Sequence, residues 1–405
     1  MRFFNTNGHF RSFGLGCLGA LLLAALLPAC TQDPIFAMIA REVKPREPQI
    51  KGVPTKMVVF EYGSQKAVFV GASSLHRYIQ VNGQAVWDSA IPQPPGKIID
   101  LAATENYLYA LTNADSPALY RLGKQAPIWE QVSFPHADFP RLQAIYGAVD
   151  DKGMPLSDYI FVGSLANSLG KDDRTDYAVY RAKDSGGAAL SFTALKEGTS
   201  LLSGAAYDGN NYYFSTKGDG VYWLGGSSPV MVTGKENVRG MIRVDSSILA
   251  LCYGGDILKI DGTGSTVLNS TGTGHYLRGP AAVYRTANGQ RTRLLTAVIA
   301  RDSYSNTYGY REIDITTGPI LSSVPGEIIL LEPGTPPYGT MDDVNRYRDT
   351  IEPKPVNAIF QVPSDIDPEM TLFASIQGTG TMKNDTDGGL WSYRAREGGW
   401  QWNAE

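Results

Sequence analysis

Cysteine and charge of either sign are scarce in this chain of 405 residues. Only 19% of the residues are charged, and Lys plus Arg number 36 against 40 for Asp plus Glu. Proteins that neutralise phosphates need a surplus of basic side chains, so this balance argues against nucleic-acid binding. The three cysteines are Cys17, Cys30 and Cys252; Cys17 lies in an N-terminal leader, Cys30 directly follows that leader, and Cys252 is left alone in the body of the chain. The sequence therefore predicts no disulfide within the mature chain.

Motifs for catalysis and metal binding are missing as well. After residue 30 the histidines are His76, His136 and His275, and no two have the spacing of a metal pair. The chain has no G-x-S-x-G nucleophile elbow and no H-E-x-x-H motif. The stretch "AKDSGGAALSF", residues 182–192, differs from the aspartate box of sialidases in its aspartate spacing and lacks the closing tryptophan, so we interpret it as a hairpin turn.

A second acidic turn, "KNDTDGG" at residues 383–389, offers Asp385 and Asp387 to a calcium ion. A dedicated calcium loop supplies six or more oxygen ligands, and this turn has too few. We therefore predict neither a metal nor any other cofactor.

The N-terminus carries the order of a secretory signal peptide. Arg2 and Arg11 make a positive start, residues 13–27 are apolar, and Ala29 precedes Cys30. The apolar run is shorter than the roughly 20 residues that span a bilayer, and no comparable run follows, so we expect no spanning helix in the mature chain.

The stretch "LLPACTQ" resembles the lipobox of bacterial lipoproteins, in which the signal is cut before a cysteine that then carries diacylglycerol. The resemblance implies lipidation of Cys30 and a membrane contact through that lipid. Pro28 departs from the usual small residue of a lipobox, and an ordinary signal peptide with a chance cysteine is the alternative. One acyl chain binds a membrane only marginally, so several chains are needed for a stable anchor.

The sequence then divides into three parts. Residues 1–29 are the predicted lipoprotein signal peptide, and residues 30–52 are the lipidated N-terminus and tether. The proline-spaced second half of that tether is typical of an extended linker. Residues 53–405 are the predicted globular domain.

One strand plan recurs through the globular part. Residues 210–226, "NNYYFSTKGDGVYWLGG", place two aromatic-rich strands around a polar turn, and residues 106–122 repeat the arrangement. Tyr78 and Tyr120 are 42 positions apart, as are Tyr180 and Tyr222. Weaker copies are centred on Leu258, Tyr310 and Trp391. Most copies have one further strand before and one after, which makes four short strands per unit.

Four short strands that recur seven times indicate an all-β fold, a single β-propeller with seven four-stranded blades. A pair of β-sandwiches, the alternative, would need no such repeat. The region 53–405 resembles bacterial propeller lipoproteins with NHL-like or regulator-type repeats, and the leader loosely resembles that of spirochaetal lipoproteins. These resemblances imply a monomeric propeller on a lipid anchor and bring no functional residues with them.

Blade topology assigns each loop to a face. The second-to-third strand connections and the connections between blades leave from the same face, and four of them are long: 165–176, 301–307, 378–387 and 328–355. Long loops on a rigid scaffold usually carry function, although tolerated surface decoration is the alternative. Large, partly polar side chains on these loops are the predicted contacts to a partner: Asp172, Asp173, Tyr304, Tyr308, Tyr338, Arg346 and Tyr347. Partner contacts at Asp150, Asp151 or Asp367 would indicate the opposite face.

Two functions remain open. The first is a lipid-anchored binding scaffold of the cell envelope, for a protein, peptide or glycan. The second is a hydrolase or lyase for envelope or extracellular carbohydrate, with carboxylates such as Asp172, Asp173 or Asp342 at the channel mouth. The leader predicts attachment to a bacterial membrane, the outer rather than the inner, facing the periplasm or the exterior. Because no catalytic motif is complete, the sequence favours binding and predicts no catalytic residue.

Overall fold

The described part of the protein is built from strands. The computed structural model describes residues 49–405 except for 89, 114–115, 167–175, 188, 227, 235–236, 271–274, 286–291, 301–308, 316–355, 370, 377–387 and 397–398. The chain divides into two units, Met1–Arg46 and Glu47–Glu405, of which the first lies wholly outside the described residues. No helix occurs in the described ranges, and so none of them holds a helix long and apolar enough to cross a membrane.

The described strands form seven antiparallel sheets. The first four sheets are β1 (Met57–Tyr62), β2 (Gln65–Gly71), β3 (Leu75–Val81) and β4 (Gln84–Asp88); β5 (Lys97–Ala103), β6 (Tyr107–Asn113), β7 (Pro117–Gly123) and β8 (Glu130–Val132); β9 (Arg141–Val149), β10 (Pro155–Leu165), β11 (Tyr177–Lys183) and β12 (Phe192–Thr199); and β13 (Leu202–Tyr207), β14 (Tyr212–Thr216), β15 (Gly220–Leu224) and β16 (Val230–Met231).

The remaining three sheets complete the described chain. They are β17 (Val238–Val244), β18 (Ser247–Cys252), β19 (Asp256–Asp261) and β20 (Gly264–Ser270); β21 (His275–Arg285), β22 (Thr292–Ala300) and β23 (Gly309–Asp314); and β24 (Val356–Gln361), β25 (Leu372–Ile376), β26 (Gly389–Arg396) and β27 (Gly399–Ala404). The fourth strand predicted for the sixth sheet lies in 316–355, outside the described residues, so the full count of seven four-stranded blades stays a prediction.

The residues that mark the centre of each repeat, six aromatic and one leucine, all occupy the third strand of a sheet. They are Tyr78 on β3, Tyr120 on β7, Tyr180 on β11, Tyr222 on β15, Leu258 on β19, Tyr310 on β23 and Trp391 on β26. The stretch at residues 210–226 is one such unit, because β14 and β15 pair across the turn at residues 217–219. The aromatic repeat is therefore structural, as the sequence predicts.

The sheets pack face to face in chain order. The first strand of each sheet, here called its inner strand, contacts the inner strand of the next sheet from β1 through to β24. Seven buried apolar clusters fill the spaces between neighbouring sheets, and one of them brings Val59 and Val70 of the first sheet against Phe360 and Phe373 of the last. The ring of described sheets is thereby closed, which confirms the all-β propeller class.

Polar contacts reinforce the join between the first and last sheets. The Tyr78 hydroxyl donates to Asp367 Oδ2 at 3.0 Å, and Trp87 Nε1 donates to Glu405 Oε2 at 2.7 Å. Ile50 is buried at 4% exposure, and its backbone N–H donates to the Glu405 carbonyl. Packing against the last sheet therefore begins before residue 53, inside the predicted tether.

Candidate functional site

A polar cavity lies on the axis of the propeller, at the end where the inner strands begin. Its volume is about 310 Å³, near the lower limit for ligand pockets. Its lining residues lie near the start of all seven inner strands, either within the strand or just before it. The turn that joins β14 to β15 also contributes to the lining. We call it the axial pocket. In a propeller this end belongs to the face that carries the connections between blades.

A repeated irregularity shapes the wall of the axial pocket. Near its start, every inner strand after β1 has a shift in the register of pairing with the second strand. Five of the six shifts leave one residue unpaired, and each of these residues lines the pocket: Ile99, Gln143, Ser203, Arg239 and Asn357. The sixth shift lies between Arg278 and Ala282. Bulges redirect side chains and are common beside functional sites.

Three basic side chains converge on the axial pocket from successive sheets. Lys217 comes from the β14–β15 turn, Arg239 from β17 and Arg278 from β21. None of the three forms an ion pair with a carboxylate among the described residues. Uncompensated cations in a partly buried place are costly, and an anion bound beside them would offset that cost.

The environment of Lys217, Arg239 and Arg278 lowers the pKa of each of them. Burial lowers the pKa of Lys217, and the charges of Arg239 and Arg278 lower that pKa further, although Asp100 opposes them. Burial lowers the pKa of Arg278 too, and the charge of Arg239 adds to the effect. Burial is the main cause of these shifts, and repulsion between the cations adds to it; a bound anion would oppose both effects.

Two unused hydrogen-bond donors lie on the same side of the pocket. Arg278 Nη1 donates to Asn357 Oδ1 at 2.6 Å, which fixes the orientation of the Asn357 amide. The Nδ2 of that amide is buried and has no hydrogen-bond partner. The Nε of Arg239 is also buried and has no hydrogen-bond partner. The guanidinium carbon of Arg239 lies 4.7 Å from the centroid of the Tyr253 ring. Buried donors without acceptors call for an explanation, and these two belong to residues that line this pocket; others, such as Arg77 Nε and Trp223 Nε1, lie elsewhere among the described residues.

The turn that presents Lys217 is held firmly. Asp219 Oδ2 accepts the Thr199 hydroxyl at 2.6 Å and the Ser200 backbone N–H at 2.9 Å. Gly218 packs against Ser200 so closely that an added Cβ would lie 2.4 Å from the Ser200 Oγ. Lys217 is therefore positioned by the connection that enters the inner strand β13.

The floor of the axial pocket is a buried ion pair. Lys56 Nζ lies 2.6 Å from Asp100 Oδ2, donates to the Ile145 carbonyl, and lies 3.2 Å from the centroid of the Tyr146 ring. Burial lowers the pKa of Lys56, and the charge of Asp100 opposes that change. Asp100 is the one carboxylate in the described lining, and Lys56 neutralises it.

A smaller cavity of about 90 Å³ lies beyond this floor. Its lining shares Lys56, Tyr146, Ser203, Gly279 and Pro280 with the axial pocket, and most of its other residues are apolar. Asp150 lines it and caps a turn, because its Oδ1 accepts the backbone N–H groups of Lys152 and Met154, both at 2.8 Å. Burial raises the pKa of Asp150.

Every site residue predicted from the sequence falls outside the described residues. This applies to Cys30 and to the seven predicted partner contacts, Asp172, Asp173, Tyr304, Tyr308, Tyr338, Arg346 and Tyr347, and also to Asp342, Asp385 and Asp387. Their roles stay predictions. Of the acidic residues that would indicate the opposite face, Asp367 is buried and accepts the Tyr78 hydroxyl, while Asp150 caps its turn.

Several residues that the sequence analysis set aside are integrated into the packing. The His136 ring stacks on Tyr180 with centroids 4.1 Å apart, and His76 lies near Trp87. Asp184, from the stretch compared with an aspartate box, follows β11 in the turn to β12 and accepts the Tyr109 hydroxyl at 2.9 Å. Cys252 is fully buried on β18. No group of described residues is arranged to hold a metal ion.

The sequence analysis missed the residues of the axial pocket. A signal for them exists, because a polar residue followed by a small one recurs near the start of five inner strands. These pairs are Gln143-Ala144, Ser203-Gly204, Arg239-Gly240, Arg278-Gly279 and Asn357-Ala358.

Comparisons with known proteins give fold-level likeness alone. No protein-family model matches the chain, and no curated protein matches it either. Among solved structures, the chain is similar to YCF48 bound to D1 peptide, at 12% identity and a TM-score of 0.37, with 67% of this chain and 85% of that chain covered. It is similar to the computationally designed Ika8 protein at 11% identity and a TM-score of 0.46, with 86% of each chain covered. The WD40 β-propeller domain of Doa1 is similar at 10% identity and a TM-score of 0.40, over 64% of this chain and 82% of that one. At these values the likeness carries no argument about function, and the assignment of this chain as a β-propeller rests on its own closed ring of sheets.

Proposed function

We propose that this protein is a binding scaffold of the bacterial cell envelope, anchored by lipid on Cys30, whose axial pocket captures an anionic group of a protein, peptide or glycan partner. The observation that carries the binding role is the convergence of Lys217, Arg239 and Arg278 without a carboxylate partner among the described residues. The lipid anchor and the location rest on the leader sequence.

A binding role suits the construction of this pocket. Arg239 and Arg278 lie on inner strands, and Lys217 lies on a turn held by the hydrogen bonds of Asp219, so their backbones are fixed before a ligand binds. Preorganisation of this kind raises affinity because little side-chain entropy remains to be lost on binding. A hydrolase would need two carboxylates at a suitable separation, and the described lining contributes Asp100 alone, which Lys56 engages.

Capture of the partner tests the binding role. The full-length protein, solubilised from membranes in detergent, is used as bait against an envelope extract. The double variant Arg239→Gln/Arg278→Gln is expected to reduce the captured partner at least tenfold, because charge-assisted contacts contribute about 1.5–3 kcal/mol each. Captured protein and glycan are quantified by mass spectrometry.

The matched control for capture is Arg243→Gln, on the same strand as Arg239 but beyond the floor of the pocket. This variant is expected to capture as the wild type does. Raising the salt concentration should weaken capture by the wild type and leave the residual capture by the double variant nearly unchanged. Equal capture by wild type and double variant would refute the role of the axial pocket.

The anchor is tested by Cys30→Ser. We expect this variant to lose its lipid and to leave the detergent phase of a phase-partition experiment, because no other segment of the sequence is predicted to hold the protein in a membrane. Intact mass measurement of the wild type should show the acyl chains. The anchor assignment is wrong if the serine variant carries no acyl chain and still partitions into detergent.

A further inference from the structure

We propose that the axial pocket selects its ligand by charge and takes a compact group with at least two negative charges, such as a phosphoryl group or clustered carboxylates. This inference rests on the proposed function, since it specifies the chemistry of the group that the pocket captures.

The first argument is the balance of charge in the pocket. Lys56 and Asp100 neutralise each other in the floor, which leaves Lys217, Arg239 and Arg278 uncompensated within the described lining. A single carboxylate would neutralise one of these cations, and the repulsion between the other two would persist. Two negative charges in one compact group would compensate most of this positive charge and three would compensate all of it, so affinity should rise steeply with ligand charge.

The second argument is the direction from which the donors come. Lys217, Arg239, Arg278 and Asn357 belong to the fourth, fifth, sixth and seventh sheets, so they form one continuous arc around the axis. The unpartnered Arg239 Nε and Asn357 Nδ2 lie within this arc. A phosphoryl group or a tricarboxylate offers several acceptor oxygens in different directions, which suits donors that are spread over an arc.

The third argument is the shape of the pocket and the contrast between its two sides. The first three sheets contribute neutral side chains to the wall, and Val53 and Ile99 are exposed there at 41% and 38%. The side chains of Lys56 and Tyr146 form the floor and limit its depth. A volume of about 310 Å³ with one charged side and one neutral side fits a small charged head group.

A series of small anions of increasing charge tests this proposal on the full-length protein in detergent. The probes are acetate, inorganic phosphate and citrate, titrated by calorimetry near neutral pH and at constant ionic strength. We expect citrate and phosphate to bind at least tenfold more tightly than acetate. The preferred one of the two indicates whether clustered carboxylates or a phosphoryl group is the better match, and either preference supports the proposal. Acetate that binds within threefold of both other anions would overturn it, as would the absence of measurable binding of all three.

Variants assign the binding to the pocket. Arg239→Gln/Arg278→Gln is expected to weaken citrate binding by about 100-fold, in line with the loss of two charge-assisted contacts. Arg243→Gln should bind citrate as the wild type does. If the double variant retains wild-type affinity while its thermal unfolding is unchanged, the anion binds elsewhere and the proposal is wrong.

Competition separates this inference from the proposed function. Citrate that binds the pocket and displaces the captured envelope partner supports both. Citrate that binds with the predicted charge dependence but leaves the partner in place supports the charge-selective pocket and refutes the pocket as the docking site. Partner capture that depends on the two arginines, without any citrate or phosphate binding, supports the proposed function and refutes the charge-selective pocket.

Discussion

Replacing Asp100 by leucine is expected to destabilise the propeller by about 3–5 kcal/mol, because it leaves the buried cation of Lys56 without its counter-charge. The carboxylate also accepts the Thr55 hydroxyl at 3.0 Å and the backbone N–H groups of Leu101 and Ile145 at 3.1 and 3.0 Å. Removing it takes an acceptor away from four donors, which come from two neighbouring inner strands and the segment before β1. Chemical denaturation monitored by intrinsic fluorescence measures the free energy of unfolding.

The converse variant should behave differently. Lys56→Met removes the cation but leaves the Asp100 carboxylate with three of its four donors, so we expect a loss of about 1–2 kcal/mol. The double variant should be more stable than Asp100→Leu alone, because it no longer buries an unpaired ammonium group. If Lys56→Met costs as much as Asp100→Leu, the carboxylate is not the centre of this network.

The buried pair also has a consequence for the pocket above it. An unpaired Asp100 carboxylate in the floor would repel an incoming anion, and Lys56 cancels that charge. Because Lys56 Nζ contacts Asp100, the Ile145 carbonyl and the Tyr146 ring together, it cannot turn upward without breaking three contacts. The positive character of the axial pocket therefore comes from its wall.

The architecture could be predicted from the sequence because the same packing requirement recurs in successive sheets. Tyr78, Tyr180 and Tyr222 recur because the third strands of these sheets bury a large side chain between neighbouring sheets, and these three are exposed by 4% or less. Tyr120, at the same place on β7, is only partly buried. A packing need that recurs from sheet to sheet leaves a periodic signal. The turn at Lys217 shows the limit of that signal, because the repeat identifies it as a turn between two strands and does not reveal that its lysine lines the pocket.

The axial pocket could not be predicted in the same way because its residues break the repeat. Arg239 and Arg278 occupy comparable places in adjacent inner strands, but the sequence alone does not reveal that register shifts turn these places toward the axis. Nor does spacing bring Lys217 beside them, since that depends on the contacts of Asp219 with the neighbouring connection. Periodicity predicts which residues occupy equivalent positions in the repeat. A binding site depends on which residues from different positions lie close together in the folded protein.

The sequence did favour one face. Loop topology predicts that the long connections leave from the face where the inner strands begin, and the axial pocket lies at that end. The predicted contacts on those loops, such as Asp172 and Tyr304, lie outside the described residues and stay predictions. The length of a loop can be read from the sequence, but the position of its side chains in the folded protein cannot.

Substituting Gly147 by alanine is expected to destabilise the fold by about 3 kcal/mol, at the upper end of the usual range for overpacking. An added Cβ at this position on β9 would lie 2.2 Å from the Ala103 carbonyl oxygen on β5. The obstructing atom belongs to the backbone of the neighbouring inner strand, so a rotamer change cannot relieve the clash. The two inner strands must separate, and the buried cluster between their sheets loses contacts.

Gly254→Ala is the matched control, because no atom lies within 4 Å of the Cβ that it would add in the exposed turn after β18. We expect this change to alter the free energy of unfolding by no more than about 0.5 kcal/mol. Thermal and chemical unfolding of the two variants, measured side by side, separate the clash from the general effect of losing a glycine. Equal stability of both would mean that the inner strands can move apart without cost, and the axial pocket that they enclose would then lack the rigid wall on which its proposed selectivity depends.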